Sequence, residues 1–557
     1  MIVGLDMGGT HIDAVIIEDG QIINTVKKPT DRDNLFKAIW TTLEELLSGY
    51  DKSKIERINL STTVSTNAIV EDKTSPVGMI IQSGPGIKGD FLACGDENVF
   101  ISGYVDHRGT VVQDIDTAEV KRGLELFKEK GIDTCAVVTK FSTRNPSHEI
   151  TVKELAKTHF NHVTMGHSTS GKLNFPRRVF TSYLNSAVYD TFNEFSDNIK
   201  KSMEREGIDA PLFILKADGG TMNLSTAEEK PVETILSGPA ASFMGLNAML
   251  RTDKDALLLD IGGTTTDIFF LADGVPLFEP LGIKIDKYKT LVRAIYSHSI
   301  GLGGDSTIHI EDGNMKIGPK REGKPYAFGG PKPTPTDAMI VLGLIEEGDR
   351  DRAFKAMNQV ANGFNMTAEN AANKVLDVMG NMIKNEVDNL LYEINSHPVY
   401  TVRELLYGKK IKPQVINVIG GPAKMLQPTL EEKFNIPCYY PENYHIANAV
   451  GAALAKITTE ITMIADTAKG ILSVPELEVY ETIDKNYTLD LARKRAMELL
   501  KESAISRGAK EEELELEIVE ENVFNMVRGF FTSGQNIRIK AQVKPGLIQE
   551  LRGDRFV

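Results

Sequence analysis

The chain is short of several things, and each shortage closes off a class of protein. It has three cysteines, Cys94, Cys135 and Cys438, too widely spaced for a disulfide framework or a CxxC metal pair. They read as buried thiols of a reducing compartment. No apolar run approaches the roughly 18 residues of a membrane span, so no membrane is expected. No basic segment precedes the opening strand IVGLD, which argues against an ordinary signal peptide and for a soluble, cytoplasmic protein. Basic residues are outnumbered, with a formal net charge of −14, so no nucleic acid is expected as a partner. There is no HExxH and no His-x₃-His helix pair, which removes the common zinc patterns.

What is present is a repeat. Residues 5–13 read LDMGGTHID and residues 259–267 read LDIGGTTTD, identical at six of nine positions. In both copies an apolar strand ends in aspartate, Gly-Gly turns the chain and a second strand returns. Asp19-Gly20 and Asp273-Gly274 then mark a second turn in each copy. The spacing predicts a strand at Gln21 to Val26, a helix from the cap Asp33 to about Ser48, a strand at Ile58–Leu60, a short helix at Thr66–Glu71 and a strand at Val77–Ile81. After the second copy a third strand is expected over Val275 to Phe278, with Pro276 confining it to an edge. With 557 residues there is room for three or four domains. Two duplicated halves explain the repeat.

The chemistry of Asp-x-Gly-Gly-Thr is phosphate chemistry. Gly8, Gly9, Gly262 and Gly263 open main-chain N–H groups to a polyphosphate, and Thr10, Thr264 and Thr265 add hydroxyls. Asp6 and Asp260 would repel bare phosphate. They make sense with Mg²⁺ standing between carboxylate and phosphate, reached through water. Asp13 and Asp267 either orient water or metal, or hold the turns. A third glycine turn, Gly420-Gly421, follows the apolar strand VINVI, and NAVGAALA after it predicts a close-packing helix. Gly303, Gly304 and Asp305 in GLGGDS form a further candidate backbone nest.

Two DxGGT hairpins and a distal GG turn resemble the actin–Hsp70–sugar-kinase superfamily of ATPases. STTVSTNAIVEDK (61–73), NPSHE (145–149), DGGTMNLSTAEEKPVETILSGPA (218–240), GLGGDS (301–306) and PTPTDAMIVLG (333–343) narrow the likeness. In order, over roughly residues 1–457, they resemble the hydantoinase/oxoprolinase family, specifically its A-type, ATP-binding subunit. The resemblance implies an α/β fold of two duplicated actin-like (ribonuclease H-like) domains around a nucleotide cleft, with ATP and Mg²⁺ as cofactors. It implies ATP-dependent opening of a cyclic amide such as 5-oxoproline or a hydantoin, by phosphorylation of the amide oxygen; related carboxylases activate a ketone in the same way. A B-type subunit is the implied partner, because no such half fits in this chain. A homo-oligomer is also expected. A small-molecule kinase and an ATPase switch acting on a partner enzyme are the alternatives.

The layout expected is lobe I at 1–85, an inserted α/β substrate subdomain and return helix (Ser182–Glu206) at 86–206, lobe II with a helical insert at 207–457, and a small α+β domain at 458–557. Asp6, Asp260, Thr10 and Thr264 are the expected catalytic residues. Thr63, Asn67, Asp218, Gly219 and His148 are the expected substrate side, with Asp106, His107 and Glu149 in reserve. Ser237-Gly238-Pro239 is a rigid turn that the family places near the nucleotide, but it continues Ala240-Ala241-Ser242 where more glycine is usual. Arg177-Arg178 are read as a solvated face, or else as binders of an acidic substrate. Asp337 is read as a helix N-cap. KEEELELEIVEE (510–521) is expected at a strand edge.

Overall fold

The computed structural model describes all residues except Thr10, 32–33, Lys88, Pro280, 397–409, 529–530, 553–554 and Val557. The architecture is mixed α/β, built around two sheets that each begin with one copy of the repeat. In the first, the strands run in the order Thr221–Asn223, Leu212–Leu215, Arg57–Thr62, Ile2–Met7, His11–Glu18, Gln21–Pro29. In the second the order is Val275–Pro276, Thr266–Ala272, Ala256–Ile261, Val415–Ile419, Cys438–Tyr439, with His298–Ile300 also on the Thr266 strand. The hairpins share one register: Asp6 lies opposite Asp13, and Asp260 opposite Asp267. Both sheets place a parallel strand on the other side of the first, Arg57–Thr62 in one and Val415–Ile419 in the other.

The expected third strand of the second copy shrinks to Val275–Pro276, because Pro276 has no N–H to extend the ladder. Helix Leu35–Leu46 buries Ala38, Ile39, Leu43 and Leu46, each large side chain contributing about 1.5–3 kcal/mol. Its cap is Asn34, which accepts from Lys37 N at 3.0 Å; Asp33, the expected cap, lies outside the described residues. The return helix is two helices, Phe175–Ala187 and Tyr189–Glu206.

The sheets redraw two expected boundaries. Strand Val77–Gln82 does not close lobe I. It pairs in parallel with Thr134–Thr139 and Glu97–Phe100 inside the inserted subdomain, whose fourth strand is His162–Met165. Leu212–Leu215 and Thr221–Asn223, expected to open lobe II, extend the first sheet instead. The C-terminal domain carries an antiparallel sheet with helix Leu489–Ser506 on it, and the acidic strand Leu516–Arg528 stands at the sheet edge. Its last residues leave it. Ile548 N donates to Leu454 O at 2.8 Å, Arg552 N to Gly20 O at 2.7 Å, and Leu250 pairs with Arg555. Among the described residues no helix is long and apolar enough to cross a membrane.

Two helices fill the space between the lobes. Ser237–Met249 follows the first sheet's last strand in the chain yet bonds to the second. Ser242 Oγ donates to Asp260, Phe243 meets Phe269 edge-on at 5.9 Å, and Asn417 Nδ2 donates to Leu250 O at 3.1 Å. Ala447–Leu454 follows the second sheet's last strand and lies on the first. Asn59 Nδ2 donates to Ala452 O and Ala453 O at 2.9 Å, and a Cβ on Gly4 would fall 2.3 Å from Ala449 O. The helices cross at backbone contact, since a Cβ on Gly245 would lie 2.1 Å from Ala447 O.

Candidate active site

Each hairpin carries a pair of carboxylates near its strand ends, and Asp6, Asp13 and Asp260 feel one another's charge. Asp6 and Asp260 end the first strand of each hairpin; Asp13 and Asp267 stand opposite them. Burial, then the charge of Asp13, pushes the Asp6 carboxyl up to about 7, and Asp260 adds to the effect. Asp6 is 6% exposed and its Oδ1 has no hydrogen-bond partner. Burial and Asp260 likewise push Asp267 up to about 7. Burial raises Asp260 too, against the opposing pull of Ser242, whose hydroxyl donates to its Oδ2 at 2.6 Å. Raised carboxylates and an orphaned buried oxygen mark a place that lacks positive charge. A divalent cation fits that deficit. Among the described residues no group of three or more His, Cys, Asp or Glu could hold a metal ion.

Asn448, at the start of helix Ala447–Leu454, reaches both Asp6 and Asp260 and pulls each carboxyl down. Lys27 pairs with Asp13 at 2.7 Å and also acts on Asp260. Neither residue was singled out from the sequence, although Asn448 opens the small-residue segment NAVGAALA. Ser242 sits in the Ala240-Ala241-Ser242 stretch that departs from the family pattern, and here its hydroxyl takes up an aspartate.

The second hairpin is clasped by the loops the sequence pointed to. Gly304 N donates to Gly262 O at 2.9 Å and Asp305 N to Gly263 O at 2.7 Å. A Cβ on Gly303 would fall 2.5 Å from the Gly263 carbonyl carbon, so only glycine permits the approach. Gly420, at φ +94°, would put a Cβ 2.2 Å from Ile261 O, while Gly421 faces open space. Asp305 pairs with Arg321 at 2.8 Å and accepts from Thr336 at 3.1 Å; Arg321 also donates to Thr264 at 3.2 Å. Thr265 contributes its carbonyl to the turn, accepting from Gly262 N at 2.9 Å. Asp337 is not the cap of its helix. Thr334 is, with Asp337 closing the capping box and accepting from Tyr326 N and Ala327 N.

The first hairpin has different neighbours. Thr30 Oγ1 donates to Gly8 O at 3.0 Å, and Thr63 Oγ1 to Met7 O at 3.2 Å. Thr10 lies outside the described residues. Asn67 Nδ2 donates to Thr63 Oγ1 at 3.1 Å, and Ser237 Oγ donates to Thr62 O at 2.7 Å, so the threonine cluster and the Ser-Gly-Pro turn adjoin this hairpin. The hairpins face each other, since His11 in one feels both Arg321 and Asp305 of the other's clasp.

The remaining expected substrate residues lie elsewhere. Asp218 is buried, and its carboxylate meets Lys216 Nζ at 3.2 Å, Gly220 N at 3.0 Å and Thr458 Oγ1 at 3.2 Å. Lys216 and Arg293 outweigh burial and hold it below its usual range. It ties the first lobe to Thr458, and neighbouring Gly219 packs on Ile295 and Met244. His148 is inside the inserted subdomain, bonded to Gln82 at 2.9 Å, and burial lowers its basicity. Glu149 is wholly buried, accepting from Thr139 N, His167 N and the His167 ring. Asp106 accepts from Arg108 N and Thr110 N as a turn residue. His107 borders a separate cavity of about 620 Å³ between the inserted subdomain and the C-terminal domain. Arg178 is buried, donating to Thr139 O and Lys172 O, and Arg177 donates to the carbonyls of Leu281, Gly282 and Thr290. Neither is a solvated face.

Two family models match: hydantoinase/oxoprolinase N-terminal region over residues 2–160, and hydantoinase/oxoprolinase over 178–461. An uncharacterised protein of Methanocaldococcus jannaschii is 23% identical over 519 residues, 84% of this chain and 74% of its own. The caprolactamase alpha subunit of Pseudomonas jessenii is 23% identical over 454 residues, 75% of this chain and 64% of its own. The crystal structure of the ATP-dependent caprolactamase from Pseudomonas jessenii superposes with a TM-score of 0.71 at 18% identity, covering 97% of this chain and 87% of that one. That likeness shows a shared fold.

Proposed function

The chain belongs to the hydantoinase/oxoprolinase family, and on that premise we propose that it is the ATP-binding subunit of an ATP-dependent cyclic amidohydrolase. The observation that carries the proposal is the pair of apposed hairpins, with Asp6 buried and Asp260 half-buried, both carboxyls raised toward their neutral forms and both reached by Asn448. Carboxylates poised in this way suit a site whose charge is completed by Mg²⁺ and a nucleotide tail. In this reading Gly8, Gly9, Gly262 and Gly263 give main-chain donors to the phosphates, and Thr10, Thr264 and Thr265 give hydroxyls. Gly303, Gly304 and Asp305 brace the second turn, and the open face of Gly421 leaves room for a flat base and ribose.

ATP supplies the phosphoryl group that converts an amide oxygen, a poor leaving group, into a good one. The protein's own part is positioning and charge. Asp6 and Asp260 orient the cation's water shell, Lys27 and Asn448 fix the carboxylates, and Thr63 with Asn67 presents hydroxyl and amide groups to the acceptor. A second subunit completes ring opening in this proposal; the relative from Pseudomonas jessenii is itself named a subunit. A cytoplasmic location and a homo-oligomeric state belong to the same proposal.

The test is ADP release by the purified chain, alone and with its co-purifying protein, against a panel of lactams, hydantoins and ketones. Substrate-stimulated ADP formation with ring opening is the expected outcome. A stable phosphorylated product would replace this reading with a kinase. Stimulation by the co-purifying protein alone would replace it with an ATPase switch.

A further inference from the structure

Away from the hairpins, three parts of the chain meet around a polar chamber of about 70 Å³, lined among others by Ser168, Asp218, Lys230, Glu476 and Arg507. It adjoins a cavity of about 450 Å³, and Lys230 and Arg507 line both. Lys230 follows the first lobe's helix Leu224–Glu229, Ser168 belongs to the inserted subdomain, and Arg507 caps helix Leu489–Ser506 of the C-terminal domain.

The acidic groups around the chamber are already engaged. Asp218 takes Lys216, Gly220 N and Thr458. Glu233 pairs with Lys216 at 3.6 Å, and Glu460 with Lys540 at 2.9 Å and Arg293 at 3.7 Å. Glu476 accepts from Gly171 N and Thr462 N. Among the described residues, neither Lys230 Nζ nor the Arg507 guanidinium has a hydrogen bond or an ion pair. Burial, then Arg507, weakens the hold of Lys230 on its proton, while Glu233, Glu476 and Glu229 act the other way.

Carboxylates act on Lys230 without bonding to it, so neither cation has a direct partner, and a negative group joining the two would offset their mutual repulsion. Side chains that only welded the domains together would be expected to pair across the junction, as Arg293 does with Glu460. A chamber of this volume takes one carboxylate or phosphate group together with little else. Strand Leu212–Leu215, whose following residues Lys216 and Asp218 wall the chamber, runs parallel to Arg57–Thr62. The chamber thus lies beyond the carboxyl ends of parallel strands, where open sheets receive ligands.

We infer that this three-way junction is a binding site for a small oxyanion, a carboxylate or phosphate group held between Lys230 and Arg507. The C-terminal domain then supplies half of a ligand site to the first lobe.

Thermal unfolding of the full chain without nucleotide tests this, so that the result does not depend on ATP turnover. Inorganic phosphate, 5-oxoproline and the uncharged amide of 5-oxoproline are titrated at constant ionic strength against chloride. A saturable rise in Tm is expected for at least one of the two anions and not for the amide. Phosphate alone acting identifies a free oxyanion; 5-oxoproline acting identifies the carboxylate of a small organic acid. Lys230→Met and Arg507→Gln should each weaken the apparent affinity at least tenfold, and Lys230→Arg should retain it. No saturable rise with either anion, or an unchanged response in both charge-removing variants, overturns the site.

Discussion

At Gly8 and at Gly262 the chain makes the same turn. Gly8 N donates to His11 O over 3.0 Å, and Gly262 N to Thr265 O over 2.9 Å. The next turns match as well, with Asp19 and Asp273 both at φ 49°. Their surroundings differ. The second hairpin meets the backbone of Gly304, Asp305 and Gly420, while the first meets the Thr30 hydroxyl and both the hydroxyl and the backbone N–H of Thr63. The carboxylates differ in step. Asp260 has Ser242 at 2.6 Å, but Asp6 leaves one oxygen without a partner. A duplicated motif thus sits in two different settings, the second hairpin against the Gly303–Asp305 loop and the first beside the threonine cluster.

The hardest way to break the comparison is to neutralise each hairpin in turn. Asp6→Asn and Asp260→Asn should each lower ADP release by about 10³-fold with an unchanged circular dichroism spectrum. Wild-type turnover in both would remove the clamp altogether, and loss in one alone would make it one-sided. A smaller effect separates the two by packing. Gly303→Ala forces a Cβ to 2.5 Å from the Gly263 backbone and should cost about 1–3 kcal/mol in urea unfolding. Gly8→Ala meets only His11 O, at 3.2 Å, and should cost less. Equal losses would mean that the first hairpin is packed as tightly as the second.

The smallest effect is a slope. Asp6 and Asp267 hold protons in the folded state up to about 7, against an ordinary value of 3.8. The folded chain therefore binds more protons than the unfolded one between those values, and each group's contribution to stability falls as pH rises through that window. Subtracting the urea stability of Asp6→Asn from wild type at each pH isolates the first hairpin, and Asp267→Asn the second. Both differences should decline from about pH 4 to 7 and level off above. A flat difference for one variant would assign the burden to the other hairpin.

Much of this was legible in the sequence because turn chemistry is local. Asp-x-Gly-Gly-Thr fixed both hairpins, the aspartates at their strand ends and the GLGGDS clasp. Contacts between distant segments were not legible. Asn448 meets Asp6 only because its helix lies on the opposite sheet, and nothing near position 448 announces that. Strand Val77–Gln82 reads like any buried strand; its parallel partner at Thr134–Thr139 assigns it to the inserted subdomain. Asp218 sits before Gly219-Gly220 and looked like another ligand turn. Lys216 and Thr458, the latter 240 residues away, tie it into the junction away from the hairpins, where it walls the polar chamber.

The two interlobe helices carry one more consequence. Each half of the molecule lends its last helix to the other, and Asn59 and Asn417 fasten the two loans in corresponding places. A borrowed helix cannot be returned without stripping the apolar face it covers, so the halves share one melting transition instead of two. Expressed apart, either half would carry an uncovered sheet and a helix with nowhere to lie. The duplication that began as two copies of one unit has made each copy unable to stand alone.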